Sequence, residues 1–113
     1  MIKLNQEQQQ VVEFLKKNCK KVDLYANKYE QAEAMCLLEE NKVIEVTFTE
    51  DNEVCVTYDD IDCDCENQES LLNHEIDKAF IDRMFERVDD VNKRLPYYCN
   101  KAHAKRIENF LKK

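Results

Sequence analysis

Glycine is absent from this chain of 113 residues, and proline occurs once, at Pro96. Loops that cradle phosphate need glycine, because the backbone must approach the anion closely and adopt positive φ. A Walker loop, a dinucleotide fingerprint and a GxSxG nucleophile elbow are therefore excluded. Turns must instead use Asn and Asp, which tolerate left-handed geometry. Asn41, Asn52, Asn67 and Asn100 stand where such turns are needed.

Long apolar runs are also missing, and the longest is far short of the ~20 residues that span a bilayer. The first residues hold no apolar stretch of signal-peptide length. These absences predict a cytoplasmic protein with no membrane association. At roughly 100–200 residues per domain, the length predicts a single acidic domain over 1–113. Six cysteines would suggest disulfides in a secreted chain, but in a cytoplasmic one the thiols are expected to be reduced. Cys19, Cys36 and Cys55 read as small buried apolar residues.

Positive charge is missing from a long window. Between Val43 and Asp77 there is no Lys or Arg, while the same 35 residues hold twelve acids. From Val91 onward the balance reverses, with Lys93, Arg94, Lys101, Lys105, Arg106, Lys112 and Lys113 against Glu108 alone. The net charge of −7 thus hides two opposed regions.

What is present reads as an α+β fold in the order α-α-β-β-α-α, with helices packed on one antiparallel β-hairpin. Asn5 and Gln8 have the spacing of a capping box ahead of a helix from about Gln6 to Lys20. Its stripe is Val11, Val12, Leu15, Cys19 and Val22. A second helix is expected from roughly Leu24 to Glu40, from the spacing of Tyr25, Tyr29, Ala32, Cys36 and Leu37. Lys21 to Tyr25 are also open to a short strand. Then the period falls to two. Ile44, Val46 and Phe48 alternate with polar residues, as do Val54, Val56 and Tyr58 after the polar turn Glu50-Asp51-Asn52-Glu53, which predicts a hairpin. The parity changes near Asp59-Asp60, which predicts a bulge, bend or strand end. Ser70 is expected to cap a long helix carrying Leu72, Ile76, Phe80, Met84, Val88, Val91 and Leu95, stopped by Pro96. A last helix runs from about Tyr97 to Leu111.

The candidate binding residues are the acids Glu50, Asp51, Glu53, Asp59, Asp60, Asp62, Asp64 and Glu66. Alternate residues on one strand face lie ~6.6–6.8 Å apart, close to the spacing of successive phosphates. Asp60, Asp62, Asp64 and Glu66 could present a phosphate-like row. Such a surface attracts a basic partner and speeds encounter. The plainer reading is a solvated face that aids solubility. The basic C-terminal region could neutralise the acidic face within one molecule or join two copies head to tail. Direct nucleic-acid binding through Lys101, Lys105 and Lys112, with Tyr97 and Tyr98 for stacking, is opposed by the overall charge.

Other chemistries have thin signals. Cys63, Cys65, Cys99 and His103 could supply four zinc ligands, but Cys-x-Cys is tighter than the usual spacing. Asp60-Ile61-Asp62-Cys63-Asp64 matches only the opening of a calcium loop, since Cys65 replaces its glycine and Leu71 its final Glu. No thiol has an evident activating base and orienting group. His74 falls off the apolar stripe and is expected to be exposed. The expectation is a non-enzymatic protein without cofactor. It would bind a basic nucleic-acid-handling enzyme as an inhibitor, phage or mobile-element encoded, of the anti-CRISPR or anti-restriction type. Alternatives are an immunity protein against a basic nuclease toxin, a zinc-linked regulatory module or a structural subunit.

Overall fold

The computed structural model of the chain describes residues 2–39, 42–57, 68–94 and 101–112. Its elements are α1 (Gln6–Asn18), β1 (Lys21–Ala26), β2 (Ala32–Leu37), β3 (Val43–Phe48), β4 (Glu53–Thr57), β5 (Gln68–Ser70), α2 (Lys78–Arg94) and α3 (Lys101–Lys112). The expected α-α-β-β-α-α order is therefore overturned. Five strands form one antiparallel sheet in the order β1-β2-β3-β4-β5, with helices at both ends of the chain.

The first helix follows its sequence signals. Asn5 Oδ1 accepts from Gln8 N–H at 2.8 Å, and Gln8 Oε1 accepts from Asn5 N–H at 3.0 Å. This reciprocal pair satisfies two amides at the helix start. Val11, Val12 and Leu15 form the buried face.

The second expected helix is instead the β1–β2 hairpin, paired from Lys21↔Leu37 to Ala26↔Ala32. The Glu-, Ala-, Met- and Leu-rich stretch has good helix formers, but intrinsic propensity is a weak force beside a packed neighbour. Here the neighbour is β3, which pairs with β2 from Glu33↔Thr47 to Leu37↔Val43. Ala34 and Cys36 sit opposite Val46 and Ile44, and all four are fully buried.

The β3–β4 hairpin forms as the alternation predicts, with Val46↔Val56 and Phe48↔Val54. It is the middle of a larger sheet rather than the whole of it. The expected helix start at Ser70 is also corrected. Ser70 ends β5 and pairs with Glu53 across the ladder. The residue that caps α2 is Asp77, whose Oδ1 accepts from Phe80 N–H at 2.9 Å. The expected parity change near Asp59-Asp60 and the stop at Pro96 lie outside the described residues, as does Tyr97, the expected start of the last helix.

The sheet divides the interior. On one face, Ala34, Cys36, Ile44, Val46, Phe48, Val54 and Val56 pack with Val11, Val12 and Leu15 of α1 and with Phe80, Ile81 and Met84 of α2. On the other face, Met35 and Val43 pack with Phe110 of α3. Lys21 fixes that helix: its Nζ donates to the Phe110 carbonyl and lies 4.9 Å from the ring centroid. β3 is covered on both sides, with Ile44 and Val46 facing one layer and Val43 the other. Among the described residues, no helix is long and apolar enough to cross a membrane.

Candidate partner-binding surface

Of the eight predicted binding acids, Glu50, Asp51 and Glu53 fall among the described residues; Asp59, Asp60, Asp62, Asp64 and Glu66 lie outside them. Glu50 and Asp51 are exposed at the tip of the β3–β4 hairpin, and Glu53 is half-buried at the start of β4.

The tip has a defined backbone. Thr49 O accepts from Asn52 N–H at 3.2 Å, and Thr49 N–H donates to Glu53 O at 3.0 Å. Asn52 takes φ 58°. This is a turn closed by one left-handed residue, a geometry that joins strands without splaying them. Asn tolerates it because its short polar side chain can bond locally. Thr49 adds a side-chain bond, its Oγ1 accepting from Glu53 N–H at 3.1 Å.

Asn52 also ties the tip to its surroundings. Its Oδ1 accepts from Asn5 Nδ2 at 2.8 Å, its Nδ2 donates to Glu7 Oε2 at 3.4 Å, and its carbonyl accepts from Leu71 N–H at 2.9 Å. The hairpin is held by the start of α1 on one side and by the residue after β5 on the other.

The β1–β2 loop repeats the same design at the same end of the sheet. Asn27 N–H donates to Gln31 O at 2.9 Å, and Glu30 N–H donates to Asn27 O at 3.0 Å. Glu30 takes φ 63°, matching Asn52. Asn27 Oδ1 accepts from both Tyr29 N–H and Gln31 N–H at 2.9 Å. Beyond the loop, Tyr25 Oη and Asn27 Nδ2 donate to the two oxygens of Glu33, at 2.7 and 2.8 Å. Tyr29 is 69% exposed, with Lys28 Nζ 5.2 Å from its ring centroid. Leu72, just past β5, is 65% exposed. An open concavity of about 430 Å³, lined by Ile2, Lys3, Ala26, Glu30 and Ala32, lies beside this loop.

Two acids of the cation-free window do not belong to a solvated face. Glu45 is 4% exposed within β3 and Glu69 is 8% exposed within β5. Glu69 lies on the core side of the sheet, opposite Val54. Its Oε1 meets Arg83 Nη2 at 3.2 Å and His74 Nε2 at 3.5 Å. Both side chains also contact Phe80, His74 by a tilted ring at 5.6 Å and Arg83 over the ring at 5.6 Å. His74 is exposed, as its position off the stripe implied, yet it reaches back to a buried carboxylate.

The cysteines divide. Cys19 and Cys36 are free and buried. Cys55 is buried too, but it is disulfide-bonded, which corrects the expectation of reduced thiols at this position. Of the suggested zinc ligands, Cys63, Cys65 and Cys99 and the side chain of His103 lie outside the described residues. Among the described residues, no group of three or more His, Cys, Asp or Glu is placed to hold a metal ion. Comparison with protein-family models, with curated proteins and with solved structures found no match to this chain.

Proposed function

We propose that this chain is a non-enzymatic binding protein that occupies a basic surface on another protein, led by Glu50 and Asp51. The observation that carries this reading is their exposure on a hairpin tip bonded to α1 and to Leu71. A fixed loop loses little conformational freedom on binding, so more of its interaction energy appears as affinity. Both acids belong to the 35-residue window without Lys or Arg, whose summed field speeds encounter with a cationic partner. The partner class that fits this charge is a nucleic-acid-handling enzyme, with the chain acting as its inhibitor and competing with phosphate.

The cytoplasmic setting belongs to the proposal as well, and Cys55 bears on it. Disulfides are rare in reducing cytosol. An inhibitor working there must keep its fold with Cys55 reduced.

The test is inhibition of purified restriction and RNA-guided endonucleases, with and without reductant. Wild type is compared with Glu50→Lys/Asp51→Lys. The expected result is inhibition by wild type that weakens with salt and falls about tenfold or more in the variant. Equal inhibition by both proteins would move the contact off this turn. Failure of the wild type against every enzyme would remove the inhibitor reading.

A further inference from the structure

Two free thiols meet in the core where α1 hands over to the sheet. Cys19 is the C-terminal cap residue of α1, and its N–H donates to Leu15 O at 2.8 Å. The next residue, Lys20, donates its N–H to Leu37 O at 2.9 Å, which draws the end of α1 against β2. Cys36 lies in β2 with its side chain on the α1 side of the sheet, while its neighbour Met35 faces α3. Cys19 and Cys36 belong to the same buried cluster, where the Cys36 thiol, which donates to the Ala34 carbonyl at 3.8 Å, also lies within hydrogen-bonding reach of Cys19. Neither is in a disulfide. Cys36 is fully buried, whereas Cys19 retains 9% exposure, so a reagent reaches Cys19 first.

We propose that Cys19 and Cys36 form a redox-active dithiol that closes to a disulfide by exchange with a small-molecule disulfide such as oxidised glutathione. The Cys19 thiolate attacks one sulfur of the oxidant. A mixed disulfide forms on Cys19 and one glutathione thiolate leaves. Cys36 then attacks Cys19 Sγ, its proton passing to the departing glutathione sulfur, which leaves as the second thiol. Two protein thiols are oxidised and one glutathione disulfide is reduced to two thiols. The product joins the end of α1 to the second strand.

The roles of the two sulfurs follow from their surroundings. The hydrogen bond with Cys36 holds the Cys19 thiol below its usual range, against the opposing effect of burial. The same bond, with burial added, pushes Cys36 well above it. Thiolate is the attacking species, so Cys19 starts the exchange and Cys36 resolves it.

The experiment uses the full chain with the Cys55 disulfide intact. The protein is incubated with oxidised glutathione near pH 8, quenched with acid, alkylated and digested without reduction. The expected result is a peptide pair joined through Cys19 and Cys36, with a thermal midpoint raised by several degrees. In Cys36→Ala the exchange stops halfway and glutathione stays on Cys19. If that variant does not fold, Cys19→Ser serves instead, with no glutathione added to the buried Cys36. Recovery of Cys19 and Cys36 as separate alkylated thiols from wild type would overturn the proposal. So would a glutathione adduct persisting on wild-type Cys19.

Discussion

Asn5 and Asn52 are bonded side chain to side chain, Nδ2 to Oδ1 at 2.8 Å, across 47 residues of sequence. One residue caps α1 and the other holds the left-handed position of the β3–β4 turn, so one contact couples a helix start to a hairpin. Asn52→Gly keeps the backbone geometry and loses the side-chain bonds, which is expected to cost about 1 kcal/mol. Asn52→Ala keeps a Cβ in the left-handed region without the local bonding that lets Asn tolerate it, and is expected to cost about 2–3 kcal/mol in total. Asn5→Ala removes a cap worth roughly 0.5–2 kcal/mol. Urea unfolding of the two single variants and the Asn5→Ala/Asn52→Gly double variant should give a coupling of about 0.5–1.5 kcal/mol. Strict additivity would show that the bond contributes nothing.

Glu30 occupies the position in the β1–β2 loop that Asn52 occupies in the β3–β4 loop, but it is a poorer residue for it. With φ at 63°, its Cβ meets the strain that glycine avoids. Glu30→Gly is expected to stabilise the protein by about 0.5–1 kcal/mol, after the greater freedom of glycine in the unfolded chain is subtracted. A lowered denaturation midpoint would mean that the Glu30 side chain contributes more than its backbone strain costs.

Phe80 and Leu72 lie on the same stripe of the sequence but in opposite surroundings. Phe80 is fully buried between sheet and helix, whereas Leu72 is largely exposed before α2 begins. Phe80→Ala is expected to cost roughly 3–5 kcal/mol. Leu72→Ala should fall within about 0.5 kcal/mol of wild type. Chemical denaturation of the two variants side by side checks the contrast.

Phe110 anchors α3 to the sheet by packing on Met35 and Val43 beneath the Lys21 ammonium. Its removal should act locally. In Phe110→Ala, amide hydrogen exchange is expected to speed up along α3, while α1 and the central strands keep their protection. A uniform rise across the chain would show instead that α3 unfolds only with the rest.

Glu69 is a buried carboxylate beside the partly exposed Arg83 guanidinium and His74 ring. Glu69→Leu removes the need to hold a charge on the core side of the sheet, and its ΔG should stay within about 1 kcal/mol of wild type. Arg83→Leu keeps the buried carboxylate and weakens its compensation, so it should cost more, about 1–2 kcal/mol after allowance for the exposure of Arg83. Thermal unfolding of the pair gives the order, and a larger loss in Glu69→Leu would contradict it.

The parts of the fold readable from sequence are those where local and tertiary demands agree. Asn5 and Gln8 signal a cap whatever the helix packs on. Strict alternation through Ile44, Val46, Phe48, Val54 and Val56 has no helical counterpart. The β1–β2 hairpin was obscured because Tyr25, Tyr29, Ala32 and Cys36 also fit a helical spacing. Its strand character depends on β3 lying alongside. The start of α2 was misplaced because Leu72 extends the helical stripe backward, although the chain there is still leaving β5. Burial of Glu45 was likewise invisible: the apolar pair Val43-Ile44 hints at a strand covered on both faces, but the acid that follows it directly reads as solvent-facing. At the candidate surface, the acidic tip and the left-handed Asn52 were legible. The ties from Asn5 and Leu71 were not, because they join residues far apart in sequence.

Every strand in this sheet bonds to the one made just before it. A ribosome releasing the chain therefore never has to leave one strand waiting for a distant partner. The hairpins from β1 to β4 can close over short loops at small entropic cost, and no segment needs to be threaded between strands already paired. The growing edges of β2 and β3, which invite association with other unfinished chains, are each covered by the next strand made. The α1 cap completes its contacts only when Asn52 arrives, so the helix made first is secured after the middle of the sheet.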